Sequence, residues 1–367
     1  MSKTKIGTIE AIMIILTIIV AHTILSLPQN IINSQKSASI LNLVYISVIA
    51  IILSYFIYRM LKNFPILDII DISESIGGKL FKNIIGIIFI AYFVVSASML
   101  LRNFSESLKV IYYPMTDIFF ILALFIISIC FSNRLDFNAT SKTNLIIVPI
   151  VLIAIVVLFA TNMKQFTPQR MFPIIGEGFY NTFIIGLENI SAFGGIVYLY
   201  FLPPMLKEPE KMKKITLISV GITSIYLILG VSTLLFIFSF FITTNEITPL
   251  YNSTRYIELG NFFQRLESIF LIVWILAFAC YLSTISKFSI SIFKKITNID
   301  NSKPLIDIFG LLILGLSLIP KNYAISQNFE NKIYPHIVIA IVFVLGLGLL
   351  VIANLKRRKE LKHEKNY

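Results

Sequence analysis

Charge is scarce in this chain. Only 14% of its 367 residues are Asp, Glu, Lys or Arg, against roughly 25% in a soluble domain, which leaves too few solvated side chains to cover a water-facing surface. Cysteine is nearly missing. Cys130 and Cys280 fall inside apolar stretches without metal-ligand or disulfide spacing, so they pack as small hydrophobes and redox chemistry is not expected. Histidine occurs three times, as His22, His336 and His363. No Cys/His cluster, carboxylate pair or phosphate-cradling glycine loop has a spacing suited to catalysis, so an enzyme is the most disfavoured class, with no cofactor or metal. Polar linkers are absent as well: the longest polar stretches are loops such as Pro65 to Lys79 and Thr243 to Asn261.

What fills the chain is apolar sequence, 57% hydrophobic overall. A helix needs about 20 mostly apolar residues to cross about 30 Å of hydrocarbon, and runs such as Ile146 to Thr161 and Ile337 to Ala353 contain no acidic or basic side chain. Ten spans are predicted, near residues 9–27, 38–58, 81–101, 115–132, 143–161, 178–204, 214–243, 262–292, 303–319 and 334–354. The expected fold is an all-α integral membrane protein, one transmembrane domain over residues 1–367, with a basic tail at 355–367. The run from Ile6 is read as the first span, because no small-residue cleavage site follows it and Pro28 ends it.

The net charge of +12 records topology, and a nucleic-acid partner is not expected. With the N-terminus inside, 22 of the 31 Lys and Arg residues fall in cytoplasmic segments and 9 outside, so both termini are expected to be cytoplasmic. The loop Lys207 to Lys214 and the tail from Lys356 to Lys365 are either plain topology determinants or rest on anionic lipid headgroups. Asp68, Asp71 and Glu74, amid Ile66 to Ile72 and before Gly77-Gly78, mark either a surface amphipathic segment or a solvated loop.

Polar groups at membrane depth are costly and therefore mark candidate functional sites. The first cluster is Ala21, His22 and Thr23, ahead of Ser26 and Pro28. A loosened helix there would free backbone N–H groups to hold a carboxylate; the alternative is a histidine near the outer interface with its own partners. The second is Glu188, Asn189 and Ser191, followed by Gly194 and Gly195. Glu188 and Ser191 project from one helix face, the glycines permit unwinding or close packing, and a carboxylate in an apolar run must be protonated, paired or facing water. In the third, Arg265 and Glu267 are two residues apart and each needs a partner elsewhere, while Arg102 and Glu106 are spaced to pair locally. These four and Trp274 are read as structural or gating groups, with interfacial anchoring as one role.

At these segments the chain resembles the spore permease family, the integral B subunit of the endospore germinant receptors, itself similar to the amino acid-polyamine-organocation transporters. The resemblance rests on Thr23-Ile24-Leu25-Ser26-Leu27-Pro28 and on Leu101-Arg102-Asn103-Phe104 followed by Pro114-Met115-Thr116. It continues with Glu188 and the downstream Leu202-Pro203-Pro204-Met205-Leu206-Lys207, and with Arg265-Leu266-Glu267-Ser268-Ile269-Phe270 and Trp274. It implies an inverted repeat of two five-span halves with spans 1 and 6 broken at mid-membrane. It also implies a small nutrient ligand, chiefly an amino acid, larger A and lipoprotein C partner subunits, and the spore inner membrane. One departure stands out: where relatives often carry glycines at the first-span break, this chain has Ala21, His22, Thr23 and Ser26.

Three functions follow as alternatives. The leading one is a receptor subunit in which Ala21, His22 and Thr23 meet the germinant's carboxylate and Glu188, Asn189 and Ser191 its amino group, Gly194 and Gly195 allowing close approach. The second is an ion-coupled amino acid transporter, with Glu188 as proton carrier. The third is a ligand-free membrane anchor for partner subunits.

Overall fold

Side-chain caps from Asp68, Asp117 and Asn322 set where three of the helices begin. The computed structural model describes residues 5–25, 27–238, 248–255, 266–299, 301 and 303–364, and ten longer helices make up most of them. They are α1 (Thr8–Leu25), α2 (Ser39–Leu61), α3 (Ile69–Tyr112), α4 (Ile118–Asn133), α5 (Phe137–Asn162) and α6 (Tyr180–Tyr200). After these come α7 (Met212–Ile237), α8 (Leu266–Thr297), α9 (Lys303–Leu318) and α10 (Tyr323–Glu360). Beyond Ser26, which lies outside the described residues, α1 is followed by a short helix, Leu27–Gln35.

Two spans begin well before the apolar sequence does. Asp68 accepts from the backbone N–H of Ile70 and Asp71, and the Asp71 side chain reaches back, so a capping box starts α3 at Ile69 rather than near residue 81. Gly78, at φ 75°, then turns the short amphipathic piece into the span. Asn322 accepts from Ile325 N at 3.0 Å and starts α10 at Tyr323, eleven residues before the predicted span.

Seven helical stretches are long and apolar enough to cross a bilayer, and α1 and α4 contain shorter apolar helices. Their packing repeats with a period of five. Spans α1 and α6, α2 and α7, α3 and α8, and α4 and α9 pack against one another. The α1–α5 contact has its counterpart in α6–α10, α5–α7 in α10–α2, and α5–α8 in α10–α3. Five is odd, so the second half re-enters from the opposite side, and the contact pattern is that of an inverted repeat.

The core lies between α3 and α8. Phe104 stacks on Phe278 at 4.0 Å and meets the edge of Trp274 at 4.9 Å. Two buried hydroxyls on α8 are satisfied within the helix, Thr284 on the Cys280 carbonyl at 2.7 Å and Ser286 on that of Leu282 at 2.7 Å. Short hydroxyl side chains of this kind sit in a buried span with their donors satisfied by the helix's own carbonyls.

Two helices depart from α geometry beside the cavity described next. In α6 a π turn at Tyr180–Ile184 gives way to tighter 3-10 winding over Ile185–Tyr200, with Phe193 outside helical geometry (φ −91°, ψ 23°). In α10 a π turn occupies Phe329–Ile333. Such turns displace side chains from the regular helical register. At the far end, Ile6 N donates to Met205 O at 2.8 Å and Lys207 N to Ile6 O at 3.0 Å, so a two-strand contact ties the start of α1 to the end of α6.

Candidate functional site

A cavity of about 110 Å³ lies among α1, the Leu27–Gln35 helix, α6 and α10, small beside the roughly 300–1,000 Å³ of drug-sized pockets. Its floor is polar and buried. The imidazole Nδ1 of His22 lies 3.6 Å from Glu330 Oε1, with side-chain exposures of 9% and 6%. The His22 ring stacks on Tyr334 (centroids 5.5 Å, planes 10° apart) and takes the edge of Tyr281 at 5.6 Å. Behind the floor, the other Glu330 oxygen accepts from the Asn103 amide, and the Asn103 carbonyl accepts from the Ser326 hydroxyl. The π turn at Phe329–Ile333 holds Glu330 above α3.

The rim is more open. Glu188, 40% exposed, faces His336 across 3.6 Å. Asn30, Gln35 and Asn331 line the wall. Side-chain polar atoms of these three, and Nε2 of His22, are buried without a hydrogen-bond partner. Buried polar atoms are nearly always satisfied by protein, water or ligand, so four such residues around one space offer unfilled bonds to water or a polar solute.

The predicted residues divide. His22, Glu188, Asn189, Ser191 and Gly194 line the cavity. Asn189 is also committed to helix packing, its amide donating to Asn42 Oδ1 at 2.8 Å. Ala21 and Thr23 are fully buried and line no part of it; Thr23 faces α7, where a β-carbon on Gly230 would meet its methyl at 3.3 Å. Gly195 sits against the α1 backbone, a β-carbon there lying 2.8 Å from the Ile15 carbonyl oxygen. Arg102 and Glu106 pair at 2.7 Å, and Arg102 also donates to Ser317 O at 3.3 Å. Trp274 is fully buried in the α3–α8 core rather than placed at an interface. Glu267 opens α8, and Arg265 lies outside the described residues.

Sequence reasoning missed Glu330, Tyr334, Asn103 as the carboxylate's partner, and the wall amides. A signal for the first two exists, since Glu330 and Tyr334 are four residues apart downstream of the Asn322 cap. Among the described residues no three His, Cys, Asp or Glu side chains gather as a metal-ligand group. A carboxylate and an imidazole on the floor, a second carboxylate at the rim and unfilled amides between them suit a small dipolar or cationic solute.

Residues 5–326 match the family described as spore germination protein. Three proteins of Bacillus subtilis (strain 168) are similar to this chain over most of their length. Spore germination protein YndE is 26% identical across 97% of this chain and 98% of its own. Spore germination protein A2 is 24% identical, covering 96% and 97%. Spore germination protein KB is 22% identical, covering 84% of each. Among solved structures, the substrate-bound outward-open state of a Na+-coupled sialic acid symporter is similar in fold, with a TM-score of 0.64 at 13% identity over 93% of this chain and 80% of that one.

Proposed function

Since this chain belongs to the spore germination permease family, an integral membrane family with a transporter-like fold, we propose that it is the ligand-sensing B subunit of a germinant receptor. It binds a small nutrient, an amino acid, in the α1–α6–α10 cavity. The observation that carries this reading is the ring of unsatisfied polar atoms above the buried His22–Glu330 pair. In this reading Glu188 and Glu330 offer carboxylates to the ligand's amino group, while His22 and the wall amides face its carboxylate. Ligand binding must favour one of two arrangements of α1 and α6 over the other, or no signal results. The partners are a larger A subunit and a lipoprotein C subunit in the spore inner membrane, with both termini of this chain on the core side.

The test is thermal stability of the purified protein across a panel of amino acids, nucleosides and sugars, with Glu188→Gln and Glu330→Gln alongside. A ligand at 100 times its dissociation constant adds about 2.7 kcal/mol. A shift for one amino acid that either variant abolishes is the expected result; no shift for any compound sinks the reading.

A second reading has its own observation. The buried His22–Glu330 pair is able to carry a proton, as an ion-coupled amino acid transporter requires. Gradient-dependent uptake by the isolated subunit in liposomes would select it, and uptake absent under every gradient would remove it.

A further inference from the structure

A second cavity, about 470 Å³, lies far from the first, between the ends of α2 and α10 where both helices leave the apolar region. Arg59, Lys62 and Arg358 line it together with Tyr55, Tyr58 and Asn63, and no acidic residue does. All three cations are exposed, and among the described residues none of them forms an ion pair, unlike Lys295, which engages Asp68 and Asp71 at 2.6 and 2.5 Å. Three uncompensated cations in one cleft repel one another, and an anion bound among them relieves that repulsion. Planar guanidinium groups match the oxygens of a phosphate in pairs, and tyrosine hydroxyls supply further donors.

The surroundings select the source of the phosphate. Toward the middle of the helices the cleft is continuous with Phe56 and Leu355, and Ile52 and Ile352 lie one turn or less further along. These side chains are 39–61% exposed, as expected of a surface facing acyl chains. A cleft with a basic mouth at the interface and an apolar wall below it has the two-part chemistry of a phospholipid. We propose that this cleft is a specific site for one anionic phospholipid, its phosphodiester held by Arg59, Lys62 and Arg358 and its acyl chains lying along α2 and α10.

The site is tested on the full chain in detergent by native mass spectrometry, titrating phosphatidylglycerol and, separately, phosphatidylcholine, inorganic phosphate and glycerol 3-phosphate. One phosphatidylglycerol is expected to bind ahead of phosphatidylcholine. Each arginine near the headgroup contributes about fivefold in affinity, so Arg59→Ala with Arg358→Ala should weaken binding roughly 25-fold, and Lys142→Ala, exposed in the first turns of α5, should leave it unchanged. If the double variant elutes as aggregate, Arg358→Gln alone carries the test, with a fivefold loss expected. Equal binding of phosphatidylcholine, unchanged affinity in the arginine variants, or displacement of the lipid by inorganic phosphate at matched concentration would each overturn the proposal, the last by making the cleft a free-anion site.

Discussion

Replacing Gly195 by alanine tests the closest approach of α1 to α6. The added methyl would lie 2.8 Å from the carbonyl oxygen of Ile15 and 3.8 Å from its carbonyl carbon and Cγ2. The oxygen belongs to helix backbone and cannot swing aside, so the two helices must separate; overpacking of this kind costs about 1–3 kcal/mol. Alanine recovers about 0.5–1 kcal/mol of glycine's helix penalty, leaving a net loss of about 1–2 kcal/mol. Gly194→Ala is the internal control. Its methyl would meet Val338 Cγ1 at 3.2 Å and the Tyr92 hydroxyl at 3.6 Å, side-chain atoms that need give only a few tenths of an ångström, so the same helix gain brings the net effect to within about 0.5 kcal/mol of zero. Denaturant unfolding in mixed micelles, followed by circular dichroism, measures both variants. A Gly195→Ala protein as stable as wild type, or a larger loss for Gly194→Ala, would refute the account of this crossing.

Four further outcomes are expected. Removing Arg102 should cost about 2–4 kcal/mol because Glu106, only partly exposed, is left unpaired; in a double-mutant cycle the loss of both should be smaller than the two single losses added, and strict additivity would deny the pairing. Burial is the largest influence on the Asp68 carboxyl and raises it above the usual 3.8, with Lys295 pulling it back down. The folded chain therefore holds that proton longer than the unfolded chain, and the Asp68 contribution to stability falls as pH rises from 3.8 through the folded value. Asp68→Asn, which keeps a helix-capping acceptor, should gain on wild type across that window, and a pH-independent difference would count against it. Ile6→Pro removes the donor to Met205 O at 2.8 Å, a loss of about 1 kcal/mol, and should raise amide exchange at Lys207; unchanged exchange there would show that the strand contact does not hold the two ends together. Asn103→Ala takes one donor from Glu330 and is expected to destabilise by about 1–3 kcal/mol, whereas an unaltered midpoint would mean that the carboxylate is held by other groups.

The spans were legible because a bilayer demands unbroken apolar length, and the Arg102–Glu106 pair because helix periodicity alone brings i and i+4 together. The cavity floor was not. Glu330 lies in a polar stretch before the apolar run of α10, and only the cap at Asn322, with the π turn that follows, carries it into the bundle. The Thr23-containing segment reads as one polar cluster, yet a helix turns each successive residue by about 100°, so His22 faces the cavity while Thr23 faces α7. Trp274 reads in the sequence as a structural or gating group, with anchoring at the interface as one role, and only Phe104 placed against it shows a core residue. Gly195 permits close packing in the sequence, and only the tertiary structure names Ile15 as the neighbour.

The His22–Glu330 contact also sets a schedule for synthesis. His22 lies on α1 and its carboxylate partner on α10, 308 residues later, so at about 5–20 residues per second the imidazole is made roughly 15 to 60 s before Glu330. Throughout that interval α1 rests in the bilayer without the partner that later neutralises its polar face. A ribosome that stalls before α10 leaves a chain in which His22 never acquires this partner.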